Sequence, residues 1–344
     1  MAGSAERPLG PVILAIETSC DDTCAAVVTR DGQVRAAIRS SQADLHARFG
    51  GVVPEIASRR HLELVVPVIE TALGDAGATL DDVDAIAVTQ GPGLIGALLV
   101  GLSTAKALAY GRGLPLVPVD HLLGHVAALR LEPLGLEPPF ACLLASGGHT
   151  LVLDVADYAA PVRLGGTRDD AAGEAFDKGA RLLGLGAAGG AALELLARDG
   201  DPERFEFPAV LRGQEGHDLS FSGLKTALLR RVRELGDDAG AARADLAAGY
   251  QAAIVRQLVE RAVGALGATG RARLAVVGGV AANAVLRDAL AQACELRGAH
   301  LSLLPPALCV DNAAMIAAAA LAAPALEPSR YLALDAYARS PLAG

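Results

Sequence analysis

The sequence predicts an α/β protein built from two duplicated lobes, and three observations carry that expectation. Residues 12–28, VILAIETSCDDTCAAVV, read as strand, polar turn, strand, because two apolar runs flank a cluster of Ser, Cys and Asp. Residues 140–155, FACLLASGGHTLVLDV, repeat that arrangement far along the chain, which suggests an internal duplication. Helical spacing alternates with these strand signals, the mark of mixed α/β architecture.

The remaining elements follow in order. HLELVVPVIETALGDAG (61–77) has helical spacing and ends at glycine. The strand DAIAVTQ runs through a Gly91-Pro92-Gly93 turn into a helix over 94–113, whose Gly96 and Gly101 allow close packing. LAAGYQAAIVRQLVERAVGALG (246–267) is a long amphipathic helix, and LAVVGGVAANAVLRDAL (274–290) is a strand that passes Gly278 and Gly279 into a helix carrying Asn283. Alanine-rich stretches near 186–198 and 313–325 are good helix formers to which no function attaches. The expected division is a flexible tail over 1–10, a first lobe over 11–120, and a second lobe over 121–311. A C-terminal helix at about 312–336 is expected to return to the first lobe.

Composition excludes several classes. With 344 residues, 52% hydrophobic and 20% charged, the chain can bury a sizeable core. No apolar run is long enough to span a membrane, and MAGSAERPLGP lacks the basic and apolar regions of a signal peptide, so a cytoplasmic protein is expected. Five scattered cysteines without a C-x-x-C pair give neither a disulfide framework nor a thiolate zinc site. A net charge of −9 and 3% aromatics argue against nonspecific coating of nucleic acid and against base-stacking platforms.

Several constellations could carry chemistry. In VDHLLGHVAAL, His121 and His125 stand four apart, so on a helix they share one face and can reach one metal ion. The spacing matches the H-E-x-x-H helix of zinc peptidases, but Leu122 occupies the place of the general base, so a peptidase loses its mechanism while a metal site does not. A third ligand is needed, and Asp311, His149 and Asp21 are candidates; Asp311 equally suits a helix N-cap. The turns SGGHT (146–150) and VVGGVAAN (276–283) could cradle phosphate with backbone N–H groups, or simply be tight turns. Glu17 interrupts an apolar strand, which is costly unless it is paired. Asp21 and Asp22 could position a reacting group or form an ordinary polar turn. Asp169, Asp170, Glu174 and Asp177 form a dense acidic segment that spacing alone assigns to a solvated helix face.

Taken together, IETSCDDT, GGVVPEIASRRH, GPGLIGALLVG, VDHLLGH, ASGGHT, DDAAGEAFDKGARLLGL, DLSFSGLKT, VVGGVAAN and CVDNAAM resemble, in order and over residues 13–316, the TsaD family of tRNA threonylcarbamoyladenosine transferases, once called O-sialoglycoprotein endopeptidases. The resemblance implies an actin-like, Hsp70-like ATPase (ASKHA) fold with a nucleotide and metal site in the interlobe cleft. It implies transfer of threonylcarbamoyl from threonylcarbamoyl-AMP to the exocyclic amine of the adenosine 3′ of the anticodon, in tRNAs reading ANN codons. It places iron or zinc on His121, His125 and Asp311, and nucleotide contacts on Leu144, Ala145, Ser146, Gly147 and Gly148, on Asp177, on Gly190 and on Asn283, with ATP a further nucleotide for that site. It implies TsaB as a heterodimer partner, TsaE, and a threonylcarbamoyl-AMP synthase (TsaC or Sua-type) as supplier. Three positions depart from the family pattern: Asp22 for a usual Glu, Ala188 for a usual Pro, and Val310 for a usual Thr. A non-catalytic nucleotide-binding scaffold of the same fold is the alternative, and it should lack the histidine pair.

Overall fold

The computed structural model describes residues 12–186, 189–211 and 213–343; the expected tail over 1–10 and Ala188 lie outside the described residues. The chain opens with β1 (Val12–Glu17), β2 (Asp22–Thr29) and β3 (Val34–Ser41), then α1 (Ala43–Ala47), α2 (Pro54–Asp75), β4 (Val83–Gly91), α3 (Ile95–Arg112), β5 (Leu116–Asp120) and α4 (His121–Ala127). It continues with β6 (Phe140–Ala145), β7 (Thr150–Val155), β8 (Val162–Gly166), α5 (Ala172–Leu182), α6 (Gly189–Ala197), α7 (Ser222–Leu235) and α8 (Arg243–Thr269). The last elements are β9 (Arg273–Val277), α9 (Ala284–Glu295), β10 (His300–Leu303), α10 (Pro306–Cys309), α11 (Ala313–Ala320) and α12 (Pro328–Tyr331).

Two compact units emerge. One takes in the chain up to Ala43, Val52–Gly135 and Asn312–Ser340; the other takes in Asp44–Gly51, Leu136–Asp311 and Pro341–Gly344. The sequence reading began the second lobe at residue 121. Instead α4 packs against α11 and stays with the first unit. Gly124 faces Ile316 and Met315 of α11 at this contact: a Cβ there would stand 2.9 Å from Ile316 Cδ1, so a larger residue would push that side chain aside.

The two sheets share one topology. The first runs β3-β2-β1-β4-β5 and the second β10-β9-β6-β7-β8. In each, a three-strand antiparallel meander is extended by two parallel strands from its first member. The hairpin turns after β1 and β6 therefore occupy corresponding places. So do the glycine turns after β4 and β9. In both units a glycine of the second turn presses on the first: a Cβ on Gly93 would meet Ser19 O at 2.5 Å, and one on Gly278 would meet Ala145 O at 2.5 Å. Gly278 also has φ +89°, a conformation that glycine adopts without strain.

In the first unit, Val12, Leu14 and Ile16 of β1 pack with Val65, Val68 and Ile69 of α2 and Leu102 of α3. All eight residues of α11 are buried, and the helix packs on every strand of that sheet and on α4. The alanine-rich run over 313–320 is thus a core helix, small enough to fit a tight space, while residues 321–325 lie beyond it and are not buried. α2 starts at Pro54, earlier than the expected 61, with proline at the first helical turn where its missing N–H costs nothing.

In the second unit, most of the dense acids are structural. Asp169 accepts hydrogen bonds from Ser220 Oγ (2.5 Å), Phe221 N (2.8 Å), Ser222 N (3.2 Å) and Ser222 Oγ (2.8 Å), and so caps α7 from a distant segment. Asp170 and Glu174 both hold Lys178, at 2.7 and 2.8 Å. Partial burial pushes the Asp169 carboxyl upward, but its hydrogen bonds outweigh this and hold it below the usual carboxylate range. A depressed folded pKa contributes stability above the unfolded value of about 4, and that contribution is lost as pH falls through the folded value. We expect Asp169→Asn to be less stable than wild type at neutral pH in denaturant titrations, with the gap closing at acidic pH below about 4. A gap independent of pH would contradict the assignment.

Candidate functional site

The first hairpin turn is built around a buried carboxylate. Glu17, at the end of β1, is 1% exposed. It accepts hydrogen bonds from the Ser19 backbone N–H, from Thr89 Oγ1 of β4 at 2.5 Å, and from His121 Nδ1 at 2.9 Å. A carboxylate so desolvated needs such partners, since leaving them unmade would cost several kcal/mol. Ser19 Oγ also lies 3.2 Å from Nδ1 of His121; toward an ionised carboxylate, which can only accept, that nitrogen is the donor.

His121 and His125 begin and continue α4, a helix of 7 residues, too short to be stable by itself. Asp120 caps it: Oδ1 accepts from Leu122 N at 2.8 Å and from Leu123 N at 3.4 Å. Both imidazoles are buried, with ring centroids 4.8 Å apart and planes at 83°. Leu122, where a peptidase base would stand, is fully buried packing.

Asp311 stands one residue before Asn312, the N-cap of α11. It is not the cap of that helix, as the sequence allowed; Asn312 is, with Oδ1 accepting from Met315 N at 2.9 Å. His121, His125 and Asp311 each offer a ligand atom, and these lie within 4.8 Å of one another. Among the described residues that group includes neither His149 nor Asp21. Two imidazoles and a carboxylate form a donor set suited to iron or zinc.

The two turn aspartates differ. Asp22 pairs with Arg39 at 3.4 Å across the β2–β3 ladder. Asp21 is half-buried, and its backbone carbonyl accepts from Gln42 N at 3.0 Å. His61 of α2, which drew no attention in the sequence, clamps this turn. Its Nε2 lies 3.0 Å from Cys20 O and its Nδ1 2.8 Å from Thr23 Oγ1. A carbonyl accepts only, so His61 donates from Nε2 and receives the threonine hydroxyl at Nδ1.

The second unit holds a cavity of about 260 Å³ lined by Gly147, Phe176, Asp177, Gly190, Glu194, Gly279 and Asn283, among others. Of the segment Leu144 to Gly148, only Gly147 lines it. Leu144 and Ala145 are buried strand residues paired on β6, and Ser146 closes the turn onto His149. Burial pushes the Asp177 carboxyl above its usual range, although the Gly190 N–H donates to it at 2.9 Å. Asn283 caps α9 through Leu286 N at 2.9 Å and donates to Gln251 Oε1 at 2.9 Å. Glu194 and Phe176 were missed from sequence, since a glutamate and an aromatic on helices carry no motif of their own.

Comparison with known proteins bears on both regions. The family described as TsaD: tRNA N6-adenosine threonylcarbamoyltransferase matches residues 33–318. A tRNA N6-adenosine threonylcarbamoyltransferase of Symbiobacterium thermophilum is 54% identical over 308 residues, covering 90% of each chain. One from Bordetella petrii is 52% identical over 312 residues, again 90% of each. Among solved structures, component A of (R)-2-hydroxyglutaryl-CoA dehydratase from Acidaminococcus fermentans is 15% identical. It covers 94% of this chain and 100% of that one, with a TM-score of 0.55. Full-length HypF, also 15% identical, covers 97% of this chain and 48% of its own, with a TM-score of 0.60. These two likenesses speak to the fold alone.

Proposed function

Because the chain belongs to the TsaD family, the tRNA N6-adenosine threonylcarbamoyltransferases, we propose that its transfer reaction is metal-dependent and uses His121, His125 and Asp311 as ligands. The observation that supports this is the grouping of His121, His125 and Asp311, with Glu17 engaging Nδ1 of His121, so that Nε2 is the nitrogen that would bind an ion. An iron or zinc ion held there would supply Lewis-acid polarisation and a template for threonyl or carbamate oxygens.

The donor on this reading is threonylcarbamoyl-AMP. The adenosine N6 amine attacks the carbamoyl carbon, a C–N bond forms, the C–O bond to the AMP phosphate breaks, and N6 gives up one proton. AMP is a good leaving group, so the protein's task is to orient the reactants. The cavity of the second unit suits the adenylate: the Gly147 and Gly279 turns face it with backbone where phosphate needs N–H groups, and Asp177 and Asn283 present polar atoms to the nucleoside. ATP fits the same chemistry. Asn283 already accepts once at its side-chain oxygen and donates one amide hydrogen, so it still offers one N–H and one lone pair. Asp21 is the better candidate than Asp22 for receiving the amine proton, because Arg39 already holds Asp22. A peptidase mechanism has no base at Leu122.

The net charge of −9 supports shared tRNA binding, with partner subunits supplying part of the platform. We assign the TsaB contact to α2 and α3. Leu62 and Val66 of α2 are 66% and 53% exposed, Ile95 and Leu99 of α3 41% and 40%. The two helices pack against each other, with Gly96 beside Ser58 Oγ, so these exposed apolar side chains lie on neighbouring helices. TsaE and a threonylcarbamoyl-AMP synthase would complete the system, acting in the cytoplasm with the tRNA. No helix among the described residues is long and apolar enough to cross a membrane.

His121→Ala and His125→Ala should each lose bound metal by elemental analysis and reduce tRNA modification from purified threonylcarbamoyl-AMP at least a hundredfold, while staying folded. A folded variant that modifies tRNA at the wild-type rate would end the metal-dependent reading. Leu62→Asp with Leu99→Asp should weaken association with TsaB more than tenfold by calorimetry, with catalytic-site metal content unchanged; undiminished association would move the interface elsewhere.

A further inference from the structure

The family match ends at residue 318, yet the chain beyond it returns to the histidine helix. Residues 332–340 run as a strap along the first unit. Lys106 Nζ donates to Leu332 O at 3.2 Å and to Leu334 O at 2.5 Å. Gln90 Nε2 donates to Asp335 O at 2.8 Å, and Tyr337 N returns a bond to Gln90 O at 3.2 Å. Gly91 makes room for this approach, since a Cβ there would meet the Tyr337 carbonyl and ring.

The strap ends on Asp120. Tyr337 Oη donates to Asp120 Oδ2 at 2.9 Å, and Ser340 Oγ, itself buried, donates to the same oxygen at 2.7 Å. Burial, then the carboxylate itself, pushes the Tyr337 hydroxyl well above the usual tyrosine range, so it stays a donor. The other oxygen of Asp120 caps α4. One carboxylate thus joins the strap to the first turn of a helix too short to fix its own direction, and the next residue in the chain is His121.

We infer that the C-terminal strap positions the metal-binding histidines, with Tyr337 and Ser340 acting through Asp120 as positioning residues. The inference rests on reading His121, His125 and Asp311 as metal ligands. The strap holds the α4 N-terminus at the orientation in which both imidazoles meet Asp311, much as outer partners of a metal ligand fix its geometry.

The test is a zinc titration of the purified full chain, by competition with a chromophoric chelator, alongside thermal melting. Wild type should bind zinc and His125→Ala should not; if wild type binds none, the metal reading falls and this inference with it. Tyr337→Phe combined with Ser340→Ala should bind roughly tenfold more weakly while still melting cooperatively. Lys106→Ala loosens the strap far from Asp120 and serves as the control: it should lower the melting temperature without changing zinc affinity. Should the double variant fail to fold, Tyr337→Phe alone removes one hydroxyl and should still weaken binding severalfold. Wild-type affinity in a folded Tyr337 variant, or an equal loss in Lys106→Ala, overturns the inference.

Discussion

A carboxylate sealed inside a β-sheet is the constraint from which the rest of the site follows. Glu17 sits at the end of β1, where a side chain of its kind must find donors or destabilise the fold. It finds them on three segments: its own turn at Ser19, the neighbouring strand at Thr89, and α4 at His121. Each partner gains a fixed place in return. The turn is held against β4, and the imidazole is held in one tautomer. The short α4 is secured further by the Asp120 cap and by the glycine contact with α11. A histidine pair that would be a loose surface feature on an ordinary helix becomes a rigid pair of donors.

The duplication explains why the two turns do different work. Both units place a hairpin turn against a glycine turn that follows a parallel strand. In the first unit the hairpin carries Glu17, Asp21 and Asp22, which suits metal and proton chemistry. In the second the turn carries Gly147 and Gly148, both exposed, and without side chains they leave the backbone accessible, which suits an anion. One architecture thus presents two chemically different turns, one with carboxylates and one with glycines.

Much of this was legible in the sequence because the signals were local. The strand–turn–strand repeats gave the duplication, and the i, i+4 histidines gave a shared helical face. Glu17 was legible as an anomaly, an acid in an apolar strand, though its partner lies over a hundred residues away and could not be named. Spacing alone left Asp311 between ligand and helix cap; only the backbone shows that Asn312 takes the capping role. His61 and the Asp169 cap depend on long-range contacts between segments with no periodic signature. The alanine run of α11 looked uninformative because smallness matters only when the neighbours are known. Leu144 and Ala145 show the converse: the family motif includes them, but their side chains face the core and only the turn beyond reaches the cavity.

The central claim is that Glu17 makes His121 a metal ligand, and Glu17→Gln tests it most directly, because the amide keeps the shape and removes the charge. Zinc or iron affinity of the purified variant should fall by roughly 10- to 100-fold, with tRNA modification falling in parallel at limiting metal and the chain still cooperatively folded. A folded Glu17→Gln variant with wild-type metal affinity and wild-type transfer would contradict the account.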